Sequence, residues 1–226
     1  MKIFLQALLL ITLFSCGKVK VSDTEVKAVD KVLTFYGGQV DRLIGFNTGN
    51  DSKVNFFELK ISESPLLNSD EKWLDEHAGN IAYLFYSNLN NEQSKYNEIR
   101  VSIDLTNGAS HSYKFSESEL KEIEELYPEI EKTNSYIQDA DYFSLANQFS
   151  GKIAVNETEI TDLFEKIKLE YGTIKGIQAQ GFSFDNDEGY GDYIGIKEAI
   201  MLEEISATIF LVYSRETNEL IGLHLP

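Results

Sequence analysis

The chain has 226 residues, 42% hydrophobic, 12% aromatic and 25% charged, proportions that argue against a disordered, collagenous or multi-span membrane protein. Asp and Glu number 37 against 20 Lys and Arg, a net charge of -17. Such a balance argues against nucleic acid, whose binding needs clustered cations to displace phosphate counterions, and against a polybasic hold on anionic lipid.

The N-terminus begins Met1-Lys2, continues with an apolar run from Ile3 to Ser15, and reaches Cys16. About 20 apolar residues are needed to span a bilayer as a helix, so this shorter run reads as a signal segment. Leu13-Phe14-Ser15-Cys16 resembles the lipobox of bacterial lipoproteins. Cys16 is the only cysteine, so it cannot close an intramolecular disulfide. The resemblance implies that residues 1–15 are a removed signal peptide. It further implies that the Cys16 thiol carries diacylglycerol and the new amine a fatty acyl chain such as palmitate. Several acyl chains on one residue would anchor the protein without a spanning helix. Gly17, where the family's inner-membrane members often carry Asp, implies the outer membrane. Residues 16–22 read as a short tether. The mature chain would carry 19 basic residues, because Lys2 is lost, against 37 acidic ones.

Residues 23–150 read as a first α+β unit. Ser22-Asp23-Thr24-Glu25 is a capping box, and Val26, Val29, Leu33 and Tyr36 follow at helical spacing until Gly37-Gly38. Strands are expected near 39–47 and 53–62. The spacing of Leu74, Ala78, Ile81, Ala82, Phe85 and Leu89 predicts a helix beginning near Asn68-Ser69. Ile99, Val101, Ile103 and Leu105 alternate with polar residues, as a half-buried strand does. Asn107-Gly108 predicts a hairpin turn into a return strand carrying Ala109, His111, Tyr113 and Phe115. Ser116 and Glu119 cap the next helix, which Pro128 is expected to break. A further helical stretch reaches about Phe149.

Residues 151–226 read as a second unit. Asn156 and Glu159 form a cap, Ile160, Leu163, Phe164, Ile167 and Tyr171 one helical face, and Gly172 the stop. Strands follow at 173–184, 192–201, 204–213 and 219–225. The third is apolar on both faces and is expected to be central. The fold class is therefore α+β: helices packed on antiparallel curved sheets, with a C-terminal helix and four-strand meander. Residues 157–226 resemble the helix-plus-curved-sheet unit of cystatin-like and nuclear-transport-factor-like folds, shared by small bacterial lipoproteins of uncharacterised function. The likeness rests on Glu170-Tyr171-Gly172, the strand Ile174 to Phe184, and Glu219-Leu220-Ile221-Gly222-Leu223. Residues 23–127 could be a degenerate second copy.

The sharpest candidate for chemistry is the loop Asp185-Asn186-Asp187-Glu188-Gly189-Tyr190-Gly191-Asp192. Asp185, Asp187, Glu188 and Asp192 could offer oxygens to a calcium ion, which takes six to eight. The EF-hand order fails, because glycine falls one place early and Ile196 stands where the bidentate Glu belongs. The competing reading is a solvated hairpin turn. Gly189, Gly191 and Gly195 are spaced too widely for a dinucleotide fingerprint, and Gly181-Phe182-Ser183-Phe184-Asp185 lacks the second glycine of a nucleophile elbow. His77, His111 and His224 are far apart. His77 is expected to be exposed, and the other two to serve packing or strand edges. Tyr83 and Tyr86 could form a contact patch. The glutamates between Glu117 and Glu131 read as a solvated helix face or a surface recruiting a basic partner.

No cofactor is implied. The leading expectation is a non-catalytic, membrane-anchored lipoprotein of the cell envelope acting through protein contacts. One version is an inhibitor or immunity-type protein that covers a basic target. Alternatives are a small-ligand or calcium-binding lipoprotein and, third, an enzyme whose site the fold conceals.

Overall fold

In the computed structural model, which describes residues 21–48, 53–149, 151, 155–189 and 191–225, the chain is an α+β protein with two four-stranded sheets. The lipobox and Cys16 lie outside the described residues. Helix α1 (Asp23–Tyr36) starts with the expected capping box: the Ser22 hydroxyl accepts the Glu25 N–H at 3.2 Å, and the Glu25 carboxylate accepts the Ser22 N–H at 2.7 Å. Gly37 ends it at φ 64°. Strands β1 (Gln39–Thr48) and β2 (Lys53–Ser62) pair antiparallel.

The helix expected from residue 68 is divided. A short α2 (Pro65–Ser69) and a 3-10 turn (Glu71–Trp73) precede α3 (Leu74–Ser87). Between them Asp70 has φ -121° and ψ 37°, outside the helical region, and its side chain is committed elsewhere (below). The crossover through α3 brings β3 (Glu98–Asp104) parallel to β2, as a helical connection permits and a hairpin does not. β4 (Ser110–Ser116) returns antiparallel after a turn in which Gly108 has φ +89°. The first sheet is thus mixed, in the order β1-β2-β3-β4. One face, carrying Phe57, Leu59, Ile61, Ile99, Val101 and Ile103, is buried. The other carries Lys60, Arg100 and Lys114 and faces water, as one-sided sheets do.

Helix α4 (Glu117–Asp139) runs through Pro128 without a break, contrary to the expected interruption. Proline removes one N–H and crowds the preceding turn, but Leu126 and Ile130 on either side are buried. Each such side chain contributes about 2 kcal/mol of burial, which offsets the local loss. α5 (Tyr142–Ala146) and α6 (Glu157–Tyr171) follow, α6 with its capping box of Asn156 and Glu159. β5 (Gly176–Asp187), β6 (Gly191–Met201), β7 (Ser206–Ser214) and β8 (Leu220–His224) form an antiparallel meander in that order.

Packing does not stop between the two expected units. A single buried cluster runs from Val32, Leu59 and Phe85 to Ile194, Ile209 and Leu211. α4 reaches the second sheet, where Thr133 bonds the Tyr213 hydroxyl at 2.7 Å and Asn134 donates to Glu198 at 2.6 Å.

Candidate ligand groove

The second sheet has two unlike faces because successive side chains point to opposite sides. One row, Phe182, Ile196, Leu211 and Leu223, belongs to the apolar face under the helices. The opposite face carries Ser183, Gly195, Val212 and Gly222 in one row, and Gly181, Lys197, Phe210 and His224 in the next. Gly195 and Gly222 bring no side chains, so the sheet is hollow there. A groove of about 440 Å³ opens over them, within the range of ligand pockets.

Its walls are carboxylates and rings. Glu76 enters from α3, Asp185 and Asp187 from β5, Tyr193 from β6, and Phe210 and His224 from the far strands. Phe210 and His224 stack at 5.2 Å with planes 10° apart, and Trp73 lies 4.7 Å from Phe210. Among the described residues no Lys or Arg lines the space. The Glu76 carboxyl is raised above its ordinary value, chiefly because burial disfavours its charge; its own backbone N–H opposes this most, Asp75 adds to the rise, and Lys197 and a hydrogen bond with Ser183 oppose it further.

α3 reaches the groove because its backbone lies directly on that of β5. A Cβ on Gly79 would stand 2.3 Å from the Phe182 carbonyl oxygen, and one on Gly181 2.0 Å from that of Glu76. Only glycine permits this approach.

Behind the groove a half-buried carboxylate heads a chain of buried polar groups. The Asp70 carboxylate receives both His77 Nε2, at 2.8 Å, and the Lys197 ammonium. Tyr36 OH meets His77 Nδ1 at 3.3 Å and accepts from Asn80 at 2.8 Å. Burial holds the His77 pKa below its usual value against the pull of Asp70, so the ring is neutral at pH 7. Its Nε2–H then donates to Asp70, and the Tyr36 hydroxyl faces both Nδ1 and the His77 carbonyl oxygen, each at 3.3 Å. Burial works to raise Asp70, but the bonds from Lys197 and His77 together hold it low. This cluster ties β6 to the start of α3 and does not line the groove.

His77, expected at the surface, is 1% exposed. His224 lies exposed on the edge strand β8, and His111 sits on β4. Tyr86 is buried and Tyr83 half-buried, so they form no open patch. Of the candidate calcium ligands, Asp185 and Asp187 are on β5, Glu188 in the turn and Asp192 on β6. Asp185 accepts the Asn186 N–H at 2.8 Å, Asp187 the Gly189 N–H at 2.7 Å, and Asp192 the Asn186 amide at 2.6 Å. These are turn contacts. Among the described residues no three His, Cys, Asp or Glu side chains come together to hold a metal ion. Of the loop's carboxylates, Asp185 and Asp187 on β5 border the groove.

Glu76, Tyr193, Lys197 and Glu198 do not stand out as functional residues in the sequence. The available signal was the pair Lys197-Glu198 in a strand otherwise apolar from Ile194 to Ile200.

No protein-family model matches the chain, and no curated protein matches it. Among solved structures it is similar to that of Bdellovibrio bacteriovorus Bd1075, with 13% identity and a TM-score of 0.34 over 78% of this chain and 62% of that one. The chain thus spans less than two thirds of that protein's length. Among the described residues no helix is long and apolar enough to cross a membrane.

Proposed function

We propose that this chain is a lipid-anchored protein of the cell envelope that binds a basic partner in the groove of its second sheet and catalyses no reaction. The observation that carries the reading is the lining of that groove: Glu76, Asp185 and Asp187 share it with the rings of Tyr193 and Phe210. Carboxylates beside aromatic faces suit an ammonium or guanidinium group, which gains charge-assisted hydrogen bonds and ring contacts together. The net charge of -17 draws a cationic partner from a distance. The lipobox-like sequence ending at Cys16 supports membrane attachment, and Gly17 after it the outer membrane. An inhibitor or immunity-type role, in which the groove takes a basic residue from a target's working surface, is one form of this function. A second reading, a small cationic ligand, is favoured by the volume of the groove.

The test is equilibrium binding of a fluorescent heptalysine probe to the detergent-solubilised full chain at low salt. Asp185→Asn, at an exposed position, should weaken binding about three- to tenfold, the size of one partly screened charge contact. Equal affinity for both proteins would assign the attraction to diffuse surface charge and contradict the groove.

A further inference from the structure

The carboxylates of the groove are evenly placed. Ser183, Asp185 and Asp187 point to the same face of β5, because the side chains of a strand alternate. Successive members of this row stand about 6.7 Å apart, two residues of strand. The Glu76 carboxylate reaches the Ser183 hydroxyl from α3, so it takes the third position of the same row. The row runs from exposed Asp187 and Asp185 to Glu76, which is 8% exposed. Among the described residues the cation that acts on Glu76 is Lys197, and its ammonium is committed to Asp70. A nearly buried carboxylate with no ion pair is costly to ionise unless a cation joins it. Beside the row, Tyr193 stands opposite Asp185 on β6, and Gly195 and Val212 supply an uncharged floor.

We propose that the groove binds a linear polyamine, its ammonium groups on Asp187, Asp185 and Glu76 in turn and its methylene chain along Tyr193, Gly195 and Val212. An extended four-carbon spacer separates two amines by close to the distance between neighbouring carboxylates. The ligand that fits therefore carries two such spacers between three amines. Each ammonium gains a charge-assisted hydrogen bond, the middle one meets the ring of Tyr193 as well, and the methylenes leave water for the floor. The spacing supplies a choice among polycations of equal charge, which net charge alone does not give. A polyamine held in this way competes with a basic residue of the partner for the same carboxylates. The choice of amines rests on the reading that the groove takes cations.

The test compares three triamines on the detergent-solubilised full chain at low salt, with spacers of three, four and six carbons. All are protonated at every amine at pH 7. The shortest has the densest charge and the longest the most apolar surface, so neither property favours the middle one. The four-carbon triamine should bind about three- to tenfold more tightly than the others and should displace the heptalysine probe. Asp185→Asn, which removes the middle carboxylate, should abolish that preference. Equal affinities for the three, or a steady rise or fall with spacer length, would overturn the polyamine site. So would failure of all three while heptalysine still binds and Asp185→Asn still weakens it, a result that leaves the cation groove in place. Failure of the triamines and of heptalysine together would overturn the groove as well.

Discussion

Lys197 and Glu198 are neighbours on β6, point to opposite faces of the sheet, and are 1% and 0% exposed. Their fates differ because their partners differ. The Lys197 ammonium is neutralised by Asp70, and removing that carboxylate would leave a buried charge unpaired, which is costly. Among the described residues Glu198 meets no cation. Asn134 of α4 donates to one of its oxygens, while its other oxygen and the Asn134 carbonyl oxygen lack partners. Tyr127 of α4 and Tyr213 of β7 are the titratable groups near it, and both are neutral below pH 10. Burial pushes the Glu198 carboxyl from 4.5 up to about 7, with only the Asn134 bond pulling it down. The folded protein therefore holds this proton more tightly than the unfolded chain. The Glu198 contribution is intact below pH 4.5, falls as pH rises to about 7, and is flat at a lower level beyond. The span corresponds to about 3 kcal/mol. Glu198→Gln removes the ionisation, so the unfolding free energy of the variant minus that of the original protein should grow by about that amount between pH 4.5 and pH 8 in urea titrations. A difference that does not change with pH would refute the protonated, buried state. None of this was legible locally: Asp70 and Lys197 are 127 positions apart, and His77 looks exposed when only its neighbour Glu76 is considered.

At the scale of elements, the readable signals were those confined to one turn of chain. The capping boxes of α1, α4 and α6 and the Asn107-Gly108 turn are all present where their residues stand, because caps and turns satisfy backbone groups within a few positions. Features settled by distant packing were not readable. Pro128 remains inside α4, Asp70 interrupts a periodic helix, and β3 pairs parallel with β2. The seating of α3 on β5 is of the same kind, since the glycines that allow it lie far apart. It is also testable. Gly181 has no left-handed backbone angle, so alanine there meets only the steric problem, and the atom in its way is the backbone oxygen of Glu76. Gly181→Ala should destabilise the protein by about 2–3 kcal/mol through overpacking. Gly151→Ala, with nothing within 4 Å of its Cβ, should be close to neutral. Equal stability of the two variants in denaturant unfolding would mean that α3 and β5 do not touch in this way.

At the scale of the whole molecule, the fold class was legible because amphipathic periods and chain length restrict the layers a chain can form. The candidate site was legible in part. The loop at Asp185–Asp192 stands out for its carboxylates, and β5 places two of them, Asp185 and Asp187, along one wall of a groove. The remaining parts, Glu76 from α3 and Phe210 and His224 from the far strands, meet only after the sheet and helix have packed. The result is an acidic, ring-lined hollow, on a chain whose first residues resemble a lipobox. That combination is the basis for reading the protein as an anchored receptor for a basic partner. The decisive measurement is in-cell crosslinking of the tagged full chain, followed by mass spectrometry, in parallel with Asp185→Asn. A stoichiometric basic envelope protein captured by the original chain and lost from the variant is the predicted result. No stoichiometric partner, or one captured equally by both proteins, would contradict it.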